Sequence, residues 1–218
     1  MKNIRIKNSD DKFSVGKIVC VGRNYAEHAK ELGNEIPEFP LIFLKPSSSL
    51  IFDNENIIHP NYSNEMHNEV ELVLLIGQTI KDASKEIAEK AIAGYAVGLD
   101  MTLRDIQNQA KAKGHPWTMA KCFDTSAVVS DFILKSDYEL TGDEKIELKV
   151  DEEVKQSASL AQMIFSPVEI VKFISSRMTL EKGDLIFTGT PAGVGKVNVG
   201  DILIAKIENV GMLKNQII

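Results

Sequence analysis

The stretch that most limits how this chain can fold is Glu69-Val70-Glu71-Leu72-Val73-Leu74-Leu75-Ile76. From Val70 onward, aliphatic residues follow one another with Glu71 as the only polar interruption, which marks a β-strand running into a core. Side chains at i and i+2 of a strand share a face, so Glu69 and Glu71 project together, roughly 6–7 Å apart at the backbone. Two like charges beside a core repel each other and lose hydration unless a cation lies between them. Such a strand either places its carboxylates on a divalent metal or leaves them on a solvated edge, paired with lysines. The spacing fits both readings.

The rest of the chain supplies short elements around that strand. Ile18-Val19-Cys20-Val21-Gly22 reads as a buried strand, followed by a helix from Asn24 to Leu32 that Gly33-Asn34 stops. Leu41 to Leu44 is a further strand. Ser84 to Ala93 reads as a helix with Ser84 as N-cap and Gly94 as its stop. Tyr95 to Leu99 is a strand that delivers Asp100, and a polar-faced helix from Leu103 to Lys113 ends at Gly114. A hairpin joins Lys145–Val150 to Val154–Ala158. Ser166-Pro167-Val168-Glu169 carries an N-cap, a proline at the first helical position and a capping-box glutamate. Short strands at Leu185 to Thr188 and Ile202 to Ile207 close the chain. Strands outnumber helices without a βαβα rhythm, and no glycine-rich nucleotide fingerprint follows an early strand. The class is therefore α+β with mixed or antiparallel sheets.

The 218 residues suffice for one substantial domain, read here as a lead-in over residues 1–17 and a single catalytic domain over 18–218. A net charge of −6 argues against a nucleic-acid binder that works by phosphate neutralisation. Cys20 and Cys122 match no zinc spacing and suggest buried thiols in a reducing compartment. No apolar signal region follows Met1, and no run is long enough to span a bilayer, so the expectation is a cytoplasmic protein without a membrane partner.

Several residues could join the carboxylates. Asp100 ends an apolar strand and is the best third ligand. All-oxygen ligation favours Mg²⁺ and admits Mn²⁺ or Ca²⁺. His67 shares the parity of Glu69 and Glu71, although a histidine there more often orients a carboxylate or lies at the rim. His28 and Glu31 are three apart on the short helix, so they share a face. A carboxylate beside imidazole fixes its tautomer and raises its basicity, as a general base requires, while an exposed His–Glu pair is the plainer alternative. Lys121 is a lone charge in Trp117-Thr118-Met119-Ala120-Lys121-Cys122-Phe123. Burying it costs several kcal/mol unless an anion pairs with it. It either meets a substrate anion or snorkels to water. The loop Thr188-Gly189-Thr190-Pro191-Ala192-Gly193-Val194-Gly195 offers amides and hydroxyls to an anion but lacks a phosphate-loop lysine.

Together these pieces resemble the fumarylacetoacetate hydrolase family, in its short single-domain branch of acylpyruvases and oxaloacetate decarboxylases or tautomerases. The resemblance runs from Ile18 almost to the C-terminus. It is carried by Gly22-Arg23-Asn24-Tyr25 with His28, Phe43-Leu44-Lys45-Pro46, Glu69-Val70-Glu71-Leu72, Leu99-Asp100-Met101-Thr102 with Arg104-Asp105 and Gln107, Pro116-Trp117, Ala120-Lys121, and Gly189-Thr190-Pro191 with Gly193-Val194-Gly195. It implies a mixed β-roll with a few short helices and a homodimer. It implies Mg²⁺ or Mn²⁺ on Glu69, Glu71 and Asp100, with His67 not a ligand. Lys121 would meet the substrate anion, His28 and Glu31 would form a water-activating dyad on a lid helix, and Arg23, Gln107 and Thr190 would line the substrate pocket. Asn68 stands where the family more often has His or Tyr. Ser126 and Val128 stand where many bacterial members have an aromatic residue and Pro. These departures leave the metal ligands untouched and bear on substrate preference.

The reaction this implies is hydrolytic C–C cleavage of a small β-diketo acid such as an acylpyruvate. His28 takes a proton from water, and Lys121 and the cation stabilise the pyruvate enolate that leaves. Decarboxylation or keto–enol tautomerisation of oxaloacetate is the runner-up at the same site, and isomerisation of hydroxymuconate-type diacids a further possibility. A non-catalytic, metal-stabilised binding module is the rival of another class.

Overall fold

All seven residues of the strand Val70–Ile76 are buried, and the reason is its place in an eight-stranded mixed sheet. The computed structural model describes residues 2–31, 33 and 35–218. The sheet runs Leu41–Lys45, Ile18–Gly22, Leu185–Phe187, Val70–Ile76, Ile92–Asp100, Ala127–Val129 and Leu50–Phe52, with Ile133–Leu134 also beside Ile92–Asp100. Leu185–Phe187 pairs parallel with Ile18–Gly22, as Ala127–Val129 does with Leu50–Phe52. The other pairings in this sheet are antiparallel. A second, antiparallel sheet runs Glu153–Ser159, Lys145–Val150, Ile202–Ile207 and Gly211–Gln216.

The period of two sorts the central strand between two cores. Val70, Leu72, Leu74 and Ile76 pack with Ile146, Leu148, Leu203 and Ala205 of the second sheet. Val73 and Leu75 pack on the other face with Cys20, Phe132, Leu185 and Phe187. Each such side chain contributes about 1.5–3 kcal/mol, which anchors the strand that carries the acidic residues. Glu69 and Glu71 share the parity of Val73 and Leu75, so the carboxylates enter a buried face. The strand shows no apolar–polar alternation because neither of its faces meets water.

The expected mixed β-roll is thus present. The hairpin Lys145–Val150/Glu153–Ser159 turns at Asp151 with φ 54°, and Ser166 caps the helix Pro167–Arg177 in a full capping box. One expected boundary is corrected. Ser84 does cap a helix, but that helix is Lys85–Ala91, and Ile92 already pairs with Ile76 in the sheet. Gly94 lies inside the strand instead of ending the helix, because sheet pairing claims these residues. The short helix after Gly22 is Ala26–Glu31; its expected end at Leu32 and the stop at Asn34 lie outside the described residues. Residues Asn3–Ile6 and Ser9–Ser14 form an antiparallel hairpin whose Ile4 and Ile6 enter the second core, an element the sequence did not announce. No helix among the described residues is long and apolar enough to cross a membrane.

Candidate metal centre

Strand register brings the carboxylates together. The Asp100 N–H donates to the Glu69 carbonyl at 2.9 Å, which sets Asp100 across from Glu69 where the two strands end, while Glu71 faces Gly98. One oxygen each from Glu69, Glu71 and Asp100 lies within 4.8 Å of the others, and all three residues are buried.

Three cations surround this triad. Lys121, on the one-turn helix Thr118–Lys121, spends its three ammonium hydrogens on Glu69 Oε2 at 2.8 Å, Asp100 Oδ2 at 2.7 Å and Thr102 Oγ1 at 2.5 Å. Burial pulls the Lys121 ammonium down, but Asp100 and Glu69 outweigh it and hold its pKa above the usual value. Burial likewise pushes the Glu69 carboxyl up, and Lys121 and Arg104 overcome this and hold it far below the usual carboxylate range. Arg104 Nη2 bonds Glu69 Oε1, and its Nη1 donates to Gln107 Oε1 at 2.6 Å. Lys45 Nζ lies 2.8 Å from Asp100 Oδ1 and also donates to the Lys121 carbonyl.

Glu71 differs from its neighbours. Its Oε2 accepts the Gly189 N–H at 2.7 Å, and no lysine or arginine pairs with it among the described residues. Burial, then Asp100 and Glu69, push its carboxyl well above the usual range. Gly189 delivers its amide from φ +100°, where a Cβ would come within 2.6 Å of the Asn24 Cβ, so only glycine fits this turn. Asp100 Oδ1, despite its nearness to Lys45, accepts no well-angled hydrogen bond. An all-carboxylate set with one member lacking a cation and another holding an under-used oxygen fits a hard divalent ion.

The expected site residues converge. His28, Arg23, Gln107, Lys121 and Thr190 line one cavity with Glu69 and Glu71. His28 is buried, and its Nδ1 meets Glu31 Oε2 at 3.4 Å. That contact places the ring hydrogen on Nδ1 and leaves Nε2 as the basic nitrogen. Burial is the main cause that lowers the His28 pKa, so the ring is neutral near pH 7. Glu31, which does not line the cavity, accepts the Gly193 N–H at 3.2 Å on both oxygens and so ties the short helix to the glycine-rich loop. Arg23 turns the chain from strand to helix at φ 59°, a strained conformation for a non-glycine residue. His67 bonds Glu65 Oε2 at 3.4 Å and takes no part in the triad.

Three residues escaped sequence reasoning as site members: Lys45, Arg104 and Lys111. Arg104 begins the helix Arg104–Lys113, where the helix dipole disfavours a cation. With Gln107 and Lys111 it occupies positions i, i+3 and i+7 of one face, and all three line the cavity. That pattern was available in the sequence. Lys111 lies 5.4 Å over the Trp117 ring. Burial first, then Arg104 and Arg23, pull its pKa down to about 8. Neither Arg23 nor Lys111 has a carboxylate partner among the described residues. Lys45 gave no local signal, since only the pairing of its strand with Ile18–Gly22 carries it beneath Asp100.

Known proteins resemble this chain along most of its length. The model described as "Fumarylacetoacetate (FAA) hydrolase C-terminal" matches residues 17–218. The mitochondrial oxaloacetate tautomerase FAHD1 of Arabidopsis thaliana is 49% identical over 88% of this chain and 86% of its own. A mitochondrial oxaloacetate decarboxylase of Dictyostelium discoideum is 47% identical over 86% of each. Among solved structures, fumarylpyruvate hydrolase of Pseudomonas aeruginosa in complex with Mn²⁺ and pyruvate superposes with a TM-score of 0.96 at 37% identity, covering 100% of this chain and 95% of that one.

Proposed function

This chain belongs to the fumarylacetoacetate hydrolase family, and from that membership we propose that it is a divalent-metal-dependent enzyme of enolate chemistry on small 2-oxo diacids, with keto–enol tautomerisation of oxaloacetate as its reaction. The observation that carries the reading is the buried triad Glu69, Glu71 and Asp100 in direct contact with the Lys121 ammonium. Glu69, Glu71 and Asp100 would hold Mg²⁺ or Mn²⁺, which supplies Lewis-acid polarisation of a 2-oxo group when bound.

This chain's own groups account for the proton and charge movements. The Lys121 ammonium stays charged, and with its hydrogens held by Glu69, Asp100 and Thr102 it would act through its field on the oxygen on which negative charge develops. His28 Nε2, oriented through Nδ1 by Glu31, takes the proton from C3 of the keto acid. The C3–H electron pair becomes the C2=C3 bond, and the carbonyl π pair moves to the C2 oxygen. Return of the proton to that oxygen completes the enol. Gln107 and Thr190 would position the 2-oxo acid. Arg23 and Lys111, cations without carboxylate partners, suit the second carboxylate of a diacid, and the enzyme relatives named for oxaloacetate support that choice.

Hydrolysis of an acylpyruvate is the second reading, favoured by the His28–Glu31 pair. There His28 takes a proton from water, the hydroxide adds to the distal carbonyl, and the C–C bond breaks with its electron pair leaving on a pyruvate enolate. Lys121 would stabilise that enolate as well. Decarboxylation of oxaloacetate and isomerisation of hydroxymuconate-type diacids would also draw on Lys121. In either reading the working form is a homodimer in a reducing compartment, which family membership and the free thiols of Cys20 and Cys122 support.

A steady-state panel on metal-stripped protein with Mg²⁺ or Mn²⁺ added back tests the proposal. It covers enol and keto oxaloacetate, acetylpyruvate and fumarylpyruvate. The expected result is metal-dependent keto–enol exchange that exceeds hydrolysis at least tenfold in kcat/KM. Hydrolysis that exceeds exchange favours the second reading, and a protein inert to all four is either a binding module or an isomerase of hydroxymuconate-type diacids.

A further inference from the structure

Gln156 is buried on a strand that is otherwise largely exposed. Glu153–Ser159 lies at the edge of the second sheet, yet Gln156 is only 1% exposed. The register slips beside it: Leu148 pairs with Gln156 and Lys149 with Val154, which leaves Lys155 unpaired. Gln156 pairs with the buried Leu148, and Ala158 with the buried Ile146, so strand alternation points Gln156 inward, between the strand of the acidic triad and the Thr190 turn. The bulged Lys155 carbonyl occupies the place a Cβ on Gly193 would need, at 1.9 Å, so bulge and loop are fitted to each other.

Every hydrogen-bonding position of the Gln156 amide is used. Oε1 accepts from the Val70 N–H and from Asn68 Nδ2, both at 3.0 Å. Nε2 donates to the Pro191 carbonyl and to Thr190 Oγ1, both at 2.8 Å. A backbone N–H can only donate and a backbone carbonyl can only accept, so Val70 and Pro191 fix which end of the amide is which. Nε2 therefore brings a hydrogen to Thr190 Oγ1, and the hydroxyl must direct its own hydrogen elsewhere. Thr190 lines the cavity beside Glu69 and Glu71, and no acceptor for that hydrogen is found among the described residues.

We infer that Gln156 is a positioning residue that makes the Thr190 hydroxyl an obligate hydrogen-bond donor to a substrate oxyanion in the cavity. The ligand class is a carboxylate or enolate oxygen of a 2-oxo acid, so the inference rests on the function proposed above. Gln156 touches no substrate itself and acts through the direction of one O–H bond.

The test is a double-mutant cycle read by calorimetric titration of oxalate, a planar dianion shaped like an enolate, into protein saturated with Mn²⁺. Gln156→Glu keeps an oxygen toward Val70 and Asn68 but replaces the donor with a second acceptor. The Thr190 hydrogen is then drawn away from the cavity. Thr190→Val removes the hydroxyl. Each change is expected to weaken oxalate binding about 10- to 100-fold, the worth of one hydrogen bond to a charged oxygen. The double variant is expected to match Thr190→Val within about twofold, because no hydroxyl is left to misdirect. Losses that multiply, or wild-type binding by Gln156→Glu, overturn the inference. If Gln156→Glu does not fold, the neutral Gln156→Met goes through the same cycle with the same two outcomes. A Mn²⁺-loaded wild type that binds no oxalate overturns the proposed function and this inference together, whereas multiplying losses in a protein that binds it overturn only the inference.

Discussion

Replacing Glu71 by glutamine is expected to stabilise the metal-free protein while abolishing its response to metal. Glu71 lies within 4.8 Å of two other buried carboxylates and pairs with no cation among the described residues. At that separation each like-charge contact costs about 3.5 kcal/mol at an effective dielectric of 20, before Lys121, Arg104 and Lys45 offset part of it. Proton uptake sets a ceiling on the penalty. The folded pKa is raised, first by burial and then by Asp100 and Glu69, above the ordinary 4.5. The group's contribution to stability is therefore full below pH 4.5 and declines as pH rises toward the folded value. At pH 7 the loss is capped by the distance from the ordinary 4.5 to pH 7, on the order of 3 kcal/mol. Glutamine can still accept the Gly189 N–H, so a gain of about 1–3 kcal/mol is expected at pH 7, or roughly 2–12 °C in Tm for a chain of this size. The gain vanishes below pH 4.5. Thermal melting in a chelator, repeated with excess Mn²⁺, reads both effects. Mn²⁺ at 100 times its Kd stabilises wild type by about 2.7 kcal/mol, and Glu71→Gln is expected to show almost none of this. A variant that melts below wild type in chelator at pH 7, or that gains the same Mn²⁺ shift, refutes the reasoning.

Two further outcomes follow from the cavity. His28→Ala is expected to lower turnover by about 10²- to 10⁴-fold, with oxalate affinity changed by less than about threefold; near-wild-type rates would remove His28 from the chemistry. Because burial lowers the His28 pKa below the ordinary 6.5, the acid limb of kcat/KM is expected below that pH and is lost in the variant. Lys111, pulled down to about 8 chiefly by burial, loses its charge above that pH. The value of kcat/KM for diacids is therefore expected to fall there, and Lys111→Met removes this limb while sparing acetylpyruvate. A limb unchanged in Lys111→Met would show that Lys111 does not meet the second carboxylate.

Much of the candidate site was legible because its signals are local. Glu69 and Glu71 share a face by strand parity, His28 and Glu31 by helical spacing, and Asp100 follows an apolar run. Arg104, Gln107 and Lys111 also share one face by helical register, a signal as local as the others. Gly94 is an ordinary stop signal that points to a helix reaching Ala93, and only the pairing of Ile92 with Ile76 ends the helix at Ala91. The hairpin Asn3–Ile6/Ser9–Ser14 was missed because its polar second strand shows no apolar run.

What the sequence determined by itself, then, is which side chains share a face within one element: the two carboxylates on their strand, the dyad on its helix, the capping box at Ser166. These depend on backbone periods of 2 and 3.6 residues and on contacts a few positions apart. Tertiary structure alone decided that Asp100 lies opposite Glu69, that Lys45 arrives beneath it, that Gly189 offers its amide to Glu71, and that Gln156 reaches Thr190. Each of these joins residues about 30 to 120 positions apart, through strand register or a loop conformation. Register and loop shape are set by the packing of the whole chain and leave no periodic trace in any one segment.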